Sequence, residues 1–160
     1  MSSRGLLSFY FMRRTLLAIS LALLLVGCGC ESEKLEDYQA RIVTLPNGQE
    51  VRAESMLTPA DTQRGMMFRS SLAPDRGMLF FHTRPAKVKY WMFQCLIPLD
   101  IVWMDGDRRI VEISANTPPC PAGVQQCPTY GGHYNSLYVL ELAGGMAAKY
   151  GLKVGDTLRF

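Results

Sequence analysis

From Ala40 to the C-terminus, apolar-rich runs of about five to eight residues recur roughly every ten, and each is closed by Gly, Pro, Asn-Gly or Asp-Gly. Breaks this frequent leave no room for long helices, so the chain must build its core from short strands. The predicted fold class is mainly β: an antiparallel β-sandwich or partly closed barrel with two short helices. Ala40 to Leu45 and Glu50 to Met56 flank Asn47-Gly48 and read as a hairpin. Thr58-Pro59-Ala60-Asp61 offers an N-cap, a first-turn proline and a first-turn acid, which predicts a helix to about Phe68. Strands are expected at Met78 to His82, Ala86 to Phe93, Ile97 to Met104, Arg109 to Ser114, Leu137 to Leu142 and Asp156 to Phe160. Asp105-Gly106 turns the third of these into the fourth, residues 115 to 136 read as a loop, and Gly144-Gly145 opens a second short helix ending at Gly151.

The run Ile97 to Met104 holds a puzzle. In period two, Ile97, Leu99, Ile101 and Trp103 share one face, which places Asp100 on the other between Val102 and Met104. An ionised carboxylate there needs a cation or several donors. Arg64 and Arg69, on and just beyond the first helix, are the expected partners, because a guanidinium engages a carboxylate bidentately. Such a pair serves equally as a clamp between helix and sheet or as a ligand-facing polar cluster. Glu141, between apolar neighbours, repeats the puzzle on another strand. Trp91 alternates with Lys87 and Lys89, a pattern that fits an aromatic platform beside cations, or a tryptophan at the core edge with lysine stems packed over it.

The N-terminus reads as an address. Arg13 and Arg14 precede the uncharged run Thr15 to Val26, which is too short to span a bilayer core of ~30 Å. Leu25-Val26-Gly27-Cys28 resembles a bacterial lipobox, so residues 1–27 are expected to be a lipoprotein-type signal peptide and Cys28 the lipidated residue. Cleavage after Gly29 and an uncleaved anchor are the alternatives. Residues 28–39 form a polar tether and 40–160 a single β domain. The protein is then exported and lipid-anchored to a bacterial membrane, facing the periplasm or the exterior.

Outside the cytoplasm paired cysteines default to disulfides. Cys120 and Cys127, flanked by Pro118, Pro119 and Pro128, are the expected pair, and closing their loop is worth roughly 2.5 kcal/mol in the chain-entropy model. As metal ligands, Cys120, Cys127 and His133 would supply three donors at unusual spacing, so no metal is expected. Cys95 reads as a small buried hydrophobe or a partner of one of the loop cysteines.

Charge and motifs exclude several classes. Lys plus Arg total 17 against 14 Asp plus Glu, but Arg4, Arg13 and Arg14 belong to the signal region, and the remainder is balanced. No electrostatic case for nucleic-acid binding survives. His82 and His133 stand alone, no nucleophile elbow, zinc-protease helix, phosphate loop or dinucleotide fingerprint occurs, and no cofactor is expected.

The order of motifs resembles the domain of unknown function 192 family, small bacterial and archaeal proteins that often carry signal or lipoprotein peptides. The matching parts are Val51 to Glu54, Thr58 through Arg69, Gly77 to Phe80, Trp91-Met92, Ile97 to Ile101, Tyr138 to Glu141 and Gly155-Asp156. Where the family usually has Lys-Asn-Thr after Trp-Met, this chain has Phe93-Gln94-Cys95. The proline-flanked cysteine loop is similar to that of cyanobacterial members. The resemblance implies a mainly β domain and brings no established activity.

The expected function is a non-enzymatic envelope binding module for a small molecule, glycan or protein, working through the surface near Arg69, Trp91 and Asp100, with Arg64 and Glu141 as further candidates. The rival is an envelope-polymer hydrolase using Asp100 and Glu141, which requires the two carboxylates within about 10 Å across an open cleft.

Overall fold

The computed structural model describes residues 39–120, 123 and 126–160. The segment expected to be a signal peptide, the expected lipidation site Cys28, nearly all of the expected tether, and Cys30 lie outside the described residues.

Among the described residues, eight strands and two short helices follow one another. They are β1 (Ala40–Thr44), β2 (Glu50–Met56), α1 (Pro59–Arg64), β3 (Arg76–Ala86), β4 (Lys89–Trp91), β5 (Leu99–Met104), β6 (Ile110–Thr117), β7 (Thr129–Gly131), β8 (Ser136–Ala143) and α2 (Met146–Lys149). Six strands form one sheet in the order β1-β2-β3-β8-β5-β6, and β4 pairs with β7 in a small second sheet. The described residues are therefore mainly β with two short helices, and no barrel closes among them.

The large sheet is mixed. β1 and β2 pair antiparallel around Asn47-Gly48, as their hairpin signal requires, but β2 and β3 run parallel. A parallel neighbour needs a crossover, and the segment containing α1 supplies it. Thr58 caps α1 by accepting from the Asp61 amide at 3.2 Å. The helix stops at Gly65, whose φ of 43 breaks the helical path, so it is shorter than the expected run to Phe68.

Both faces of the sheet are covered. Every residue of β5 is buried, because its neighbours β6 and β8 satisfy its backbone while a core lies on each side. One core contains Val51, Val102, Leu140 and Leu142 and is closed by α2 and by Leu152 and Leu158. The other contains Met78, Phe80, Ile101, Trp103 and Val139 and is closed by Met66, Met92 and Cys95 from the segments around α1 and after β4.

Three further expectations shift. β3 continues past His82 to Ala86 with a register irregularity beyond Phe81, while β4 is three residues long and joins the small sheet. β7 lies within the segment read as loop. Asp156 to Phe160 is no strand; it makes single bridges, Thr157 to Arg109 and Arg159 to Thr44, that seal the sheet ends.

Candidate functional site

Asp100 is fully buried on the face predicted for it, yet no guanidinium meets it. Its Oδ1 accepts from the Asn116 amide at 2.6 Å and the Gly145 amide at 3.0 Å, and its Oδ2 accepts from the Ala147 amide at 2.6 Å. The side chain thus ties the end of β6 to the start of α2, where backbone donors are left without helical partners. The expected pairing with Arg64 or Arg69 is corrected on this point. Arg69 instead forks onto Glu54, both contacts at 2.6 Å, and so ties the segment after α1 to β2.

Glu141 lies on the other side. On β8 it stands opposite Ile101 of β5 and Met78 of β3, whereas Asp100 stands opposite Leu142. Directly paired residues share a face and successive residues alternate, so the two carboxylates point to opposite faces of the sheet. No cleft contains both, and the hydrolase built on Asp100 with Glu141 is excluded for that reason. The surface expected to gather Arg69, Trp91 and Asp100 is likewise not one surface.

Above Glu141 is a cavity of about 160 Å³. β8 supplies Glu141, β3 supplies Phe80 and His82, β4 supplies Lys89, Tyr90 and Trp91, the segment after it supplies Phe93 and Cys95, and α1 with its C-terminal turn supplies Arg64, Gly65 and Met66. Three of the candidates named from the sequence, Arg64, Trp91 and Glu141, therefore meet here, and Asp100 does not. Phe80 and Tyr90 pack edge to face at 5.1 Å, Trp91 lies 5.3 Å from Phe93, and Tyr90 shares a hydrogen bond of 3.2 Å with His82 Nε2. Trp91 is half exposed at the mouth, which both readings of it allow, while Trp103 is sealed below and donates through Nε1 to the Val88 carbonyl.

The electrostatics follow from burial. Glu141 is 4% exposed and its Oε2 has no hydrogen-bond partner. Burial pushes its carboxyl up to about 8, with the nearby Arg69 charge pulling the other way, so the neutral acid predominates at pH 7. Burial, with a smaller contribution from Glu141, raises the Tyr90 phenol and pushes the Cys95 thiol up to about 12. Burial also lowers His82, which keeps its ring neutral near pH 7. The site is an aromatic-lined cavity, open to solvent on one side, with one carboxylic acid, Arg64 and Lys89 among its lining residues.

Two backbone positions shape the wall. Phe68 (φ 63) and Gln94 (φ 56) are both left-handed, and the Phe68 amide donates to the Gln94 carbonyl at 2.9 Å. Gln94 in turn donates through its amide to the Cys120 carbonyl at 2.8 Å, joining the wall to the loop closed by the Cys120–Cys127 disulfide. That disulfide removes both thiols from metal binding. His133 is engaged with Glu112, Nδ1 to Oε1 at 2.5 Å, and among the described residues no cluster of ligating side chains could hold a metal. Cys95 is a free buried thiol.

Comparison with protein families gives one decisive match: the DUF192 family, described as "Uncharacterized ACR", over residues 42–160. The chain belongs to the DUF192 family. Two solved structures agree with the assignment. A protein of unknown function from Novosphingobium aromaticivorans is 34% identical, with 76% of this chain and 85% of that one covered and a TM-score of 0.69. A Sinorhizobium meliloti protein described as a candidate transcription regulator is 28% identical, with 74% and 89% covered and a TM-score of 0.65. No curated protein matches the chain. Of the segment Phe93-Gln94-Cys95 that follows Trp91-Met92, Phe93 and Cys95 line the cavity. Sequence reasoning identified Glu141 by its apolar neighbours. It missed Phe80, His82 and Tyr90, since a strand pattern gives no sign of which buried residues surround a void.

Proposed function

We propose that this DUF192 protein is a lipid-anchored envelope protein whose β domain binds a small molecule in the cavity over Glu141. The observation that carries the reading is a buried carboxyl group, one oxygen of which has no hydrogen-bond partner, on a residue that lines an aromatic-walled cavity. A buried polar atom left unsatisfied is costly, and a ligand that completes its hydrogen bonding recovers that cost on binding. The volume suits a fragment about the size of one ring, comparable with cavities that admit benzene, which favours a small molecule over a glycan chain or a protein. The regulator description of the Sinorhizobium relative is not carried over, because beyond the signal region basic and acidic side chains balance.

A thermal-shift screen of single-ring compounds tests the binding. Hits are expected to raise the melting temperature and to move the amide resonances of Tyr90 and Trp91. A screen whose hits all map elsewhere overturns the reading. Mass spectrometry of the membrane fraction tests the anchor. The expected mature N-terminus is an acylated Cys28, and Cys28→Ser is expected to leave the protein unlipidated. Any other N-terminus overturns that part.

A further inference from the structure

We infer that the cavity over Glu141 selects a small aromatic carboxylate, held by a carboxylic acid to carboxylate hydrogen bond at its floor and by Arg64 and Lys89 at its walls. The inference rests on the small-molecule reading above and names the ligand class.

Geometry supplies the first argument. Among the described residues lining the cavity, Glu141 is the one acid, against Arg64 and Lys89, so the field inside favours an anion. Arg69 adds positive potential, since its charge is felt at the Glu141 carboxyl even while it is forked onto Glu54. Phe80, Tyr90, Trp91 and Phe93 surround the space between these charges with aromatic surface, which accepts a ring.

The second argument is the state of Glu141. As a neutral acid it has an O–H to donate and a carbonyl oxygen to accept, and Oε2 is unpaired. A ligand carboxylate takes that proton into a short charge-assisted bond, leaving its second oxygen for Arg64 or Lys89. An ammonium ligand would instead require the buried Glu141 carboxyl to ionise and would face both cations. A neutral alcohol satisfies the oxygen but gains nothing from the walls.

Other groups facing Glu141 do not change the expected pH dependence. Tyr90 from β4 and Cys95 from the segment after it are both raised and stay protonated to well above pH 8, and His82 from β3 is lowered and stays neutral. The charged side chains facing Glu141 are Arg64 from α1 and Lys89 from β4, with Arg69 acting from beyond α1.

The test uses three probes of one shape: benzoate, benzylammonium and benzyl alcohol. Binding is read from the amide shifts of Gly65, Tyr90 and Trp91 in the lipid-free mature protein from residue 29. Benzoate is expected to bind at least about tenfold more tightly than either other probe at pH 7. Its affinity should fall with rising pH above about 8, approaching tenfold per unit. Glu141→Gln, which keeps a donor and cannot ionise, should retain benzoate and lose that pH dependence. Arg64→Gln, an exposed substitution that leaves the core alone, should weaken benzoate several-fold without weakening benzyl alcohol. Preference for benzylammonium or benzyl alcohol overturns the carboxylate inference and leaves the small-molecule reading standing. An unchanged benzoate affinity in Arg64→Gln, or a flat profile in the parent protein, also overturns it. Failure of all three probes to shift these resonances at millimolar concentration overturns the inference, while the fragment screen separately decides whether the cavity binds anything.

Discussion

What separates Asp100 from Glu141 is the number of donors within reach. Asp100 collects three backbone amides, so replacing it by Asn turns an amide NH₂ toward the Ala147 N–H and should cost about 2–4 kcal/mol in urea denaturation. Because Arg69 pairs with Glu54 instead, Asp100→Asn and Arg69→Met should be additive within about 0.5 kcal/mol in a double-mutant cycle. A larger coupling would revive the clamp expected from the sequence. Glu141 behaves oppositely. Its folded value near 8 exceeds the ordinary 4.5, so between those values the native state holds a proton that the unfolded state has released. Its contribution to stability is therefore complete below pH 4.5 and declines through the window up to about 8, by at most ~1.4 kcal/mol per pH unit. Glu141→Gln should remove this slope, so that the variant gains stability relative to the parent at pH 8 but not at pH 4.5; parallel curves would refute the assignment. Gln94 carries backbone strain. Its φ of 56 lies in the left-handed region that Asn tolerates better than Gln, and Gln94→Asn should raise stability by up to about 1 kcal/mol.

At the scale of elements, the strongest patterns were legible. β5 follows the predicted alternation, with Leu99, Ile101 and Trp103 in one core and Val102 and Met104 in the other. The Asn47-Gly48 and Asp105-Gly106 turns join the strands expected of them, the latter fixed by Asp105 Oδ1 accepting from the Asp107 and Arg109 amides. β7 was not legible, because what holds it is a neighbour rather than its own composition: Gly131 lies so close to Trp103 that a Cβ there would come within 2.3 Å of the indole. Gly131 also has φ 73, so Gly131→Ala should destabilise by about 3 kcal/mol or more and shift the Trp103 fluorescence. A normal melting temperature would show that the small sheet is not packed this way. The disulfide, read correctly from its proline-flanked loop, anchors the same region. Replacing Cys120 and Cys127 by Ser should cost roughly 2.5 kcal/mol, measured against the parent under non-reducing conditions.

For the molecule as a whole, the two-sided burial of the sheet sets where stability concentrates. β5 and β8 lie in the sheet interior between two cores, whereas β4 and β7 form a two-stranded sheet, so native-state hydrogen exchange should show the highest protection along Leu99 to Met104 and Val139 to Leu142. Equal protection in β4 would contradict that gradient. By itself, the sequence determined the class of the fold, its turns, its disulfide and the inward direction of Asp100 and Glu141, because these depend on neighbours within a few residues or on period-two alternation. Tertiary structure alone decided that β2 and β3 run parallel, that backbone amides rather than an arginine meet Asp100, and that Glu141 is left with an unpaired oxygen beneath a cavity. Those outcomes depend on which distant segments arrive at a side chain, and chain periodicity carries no information about the donors that another strand or loop will bring.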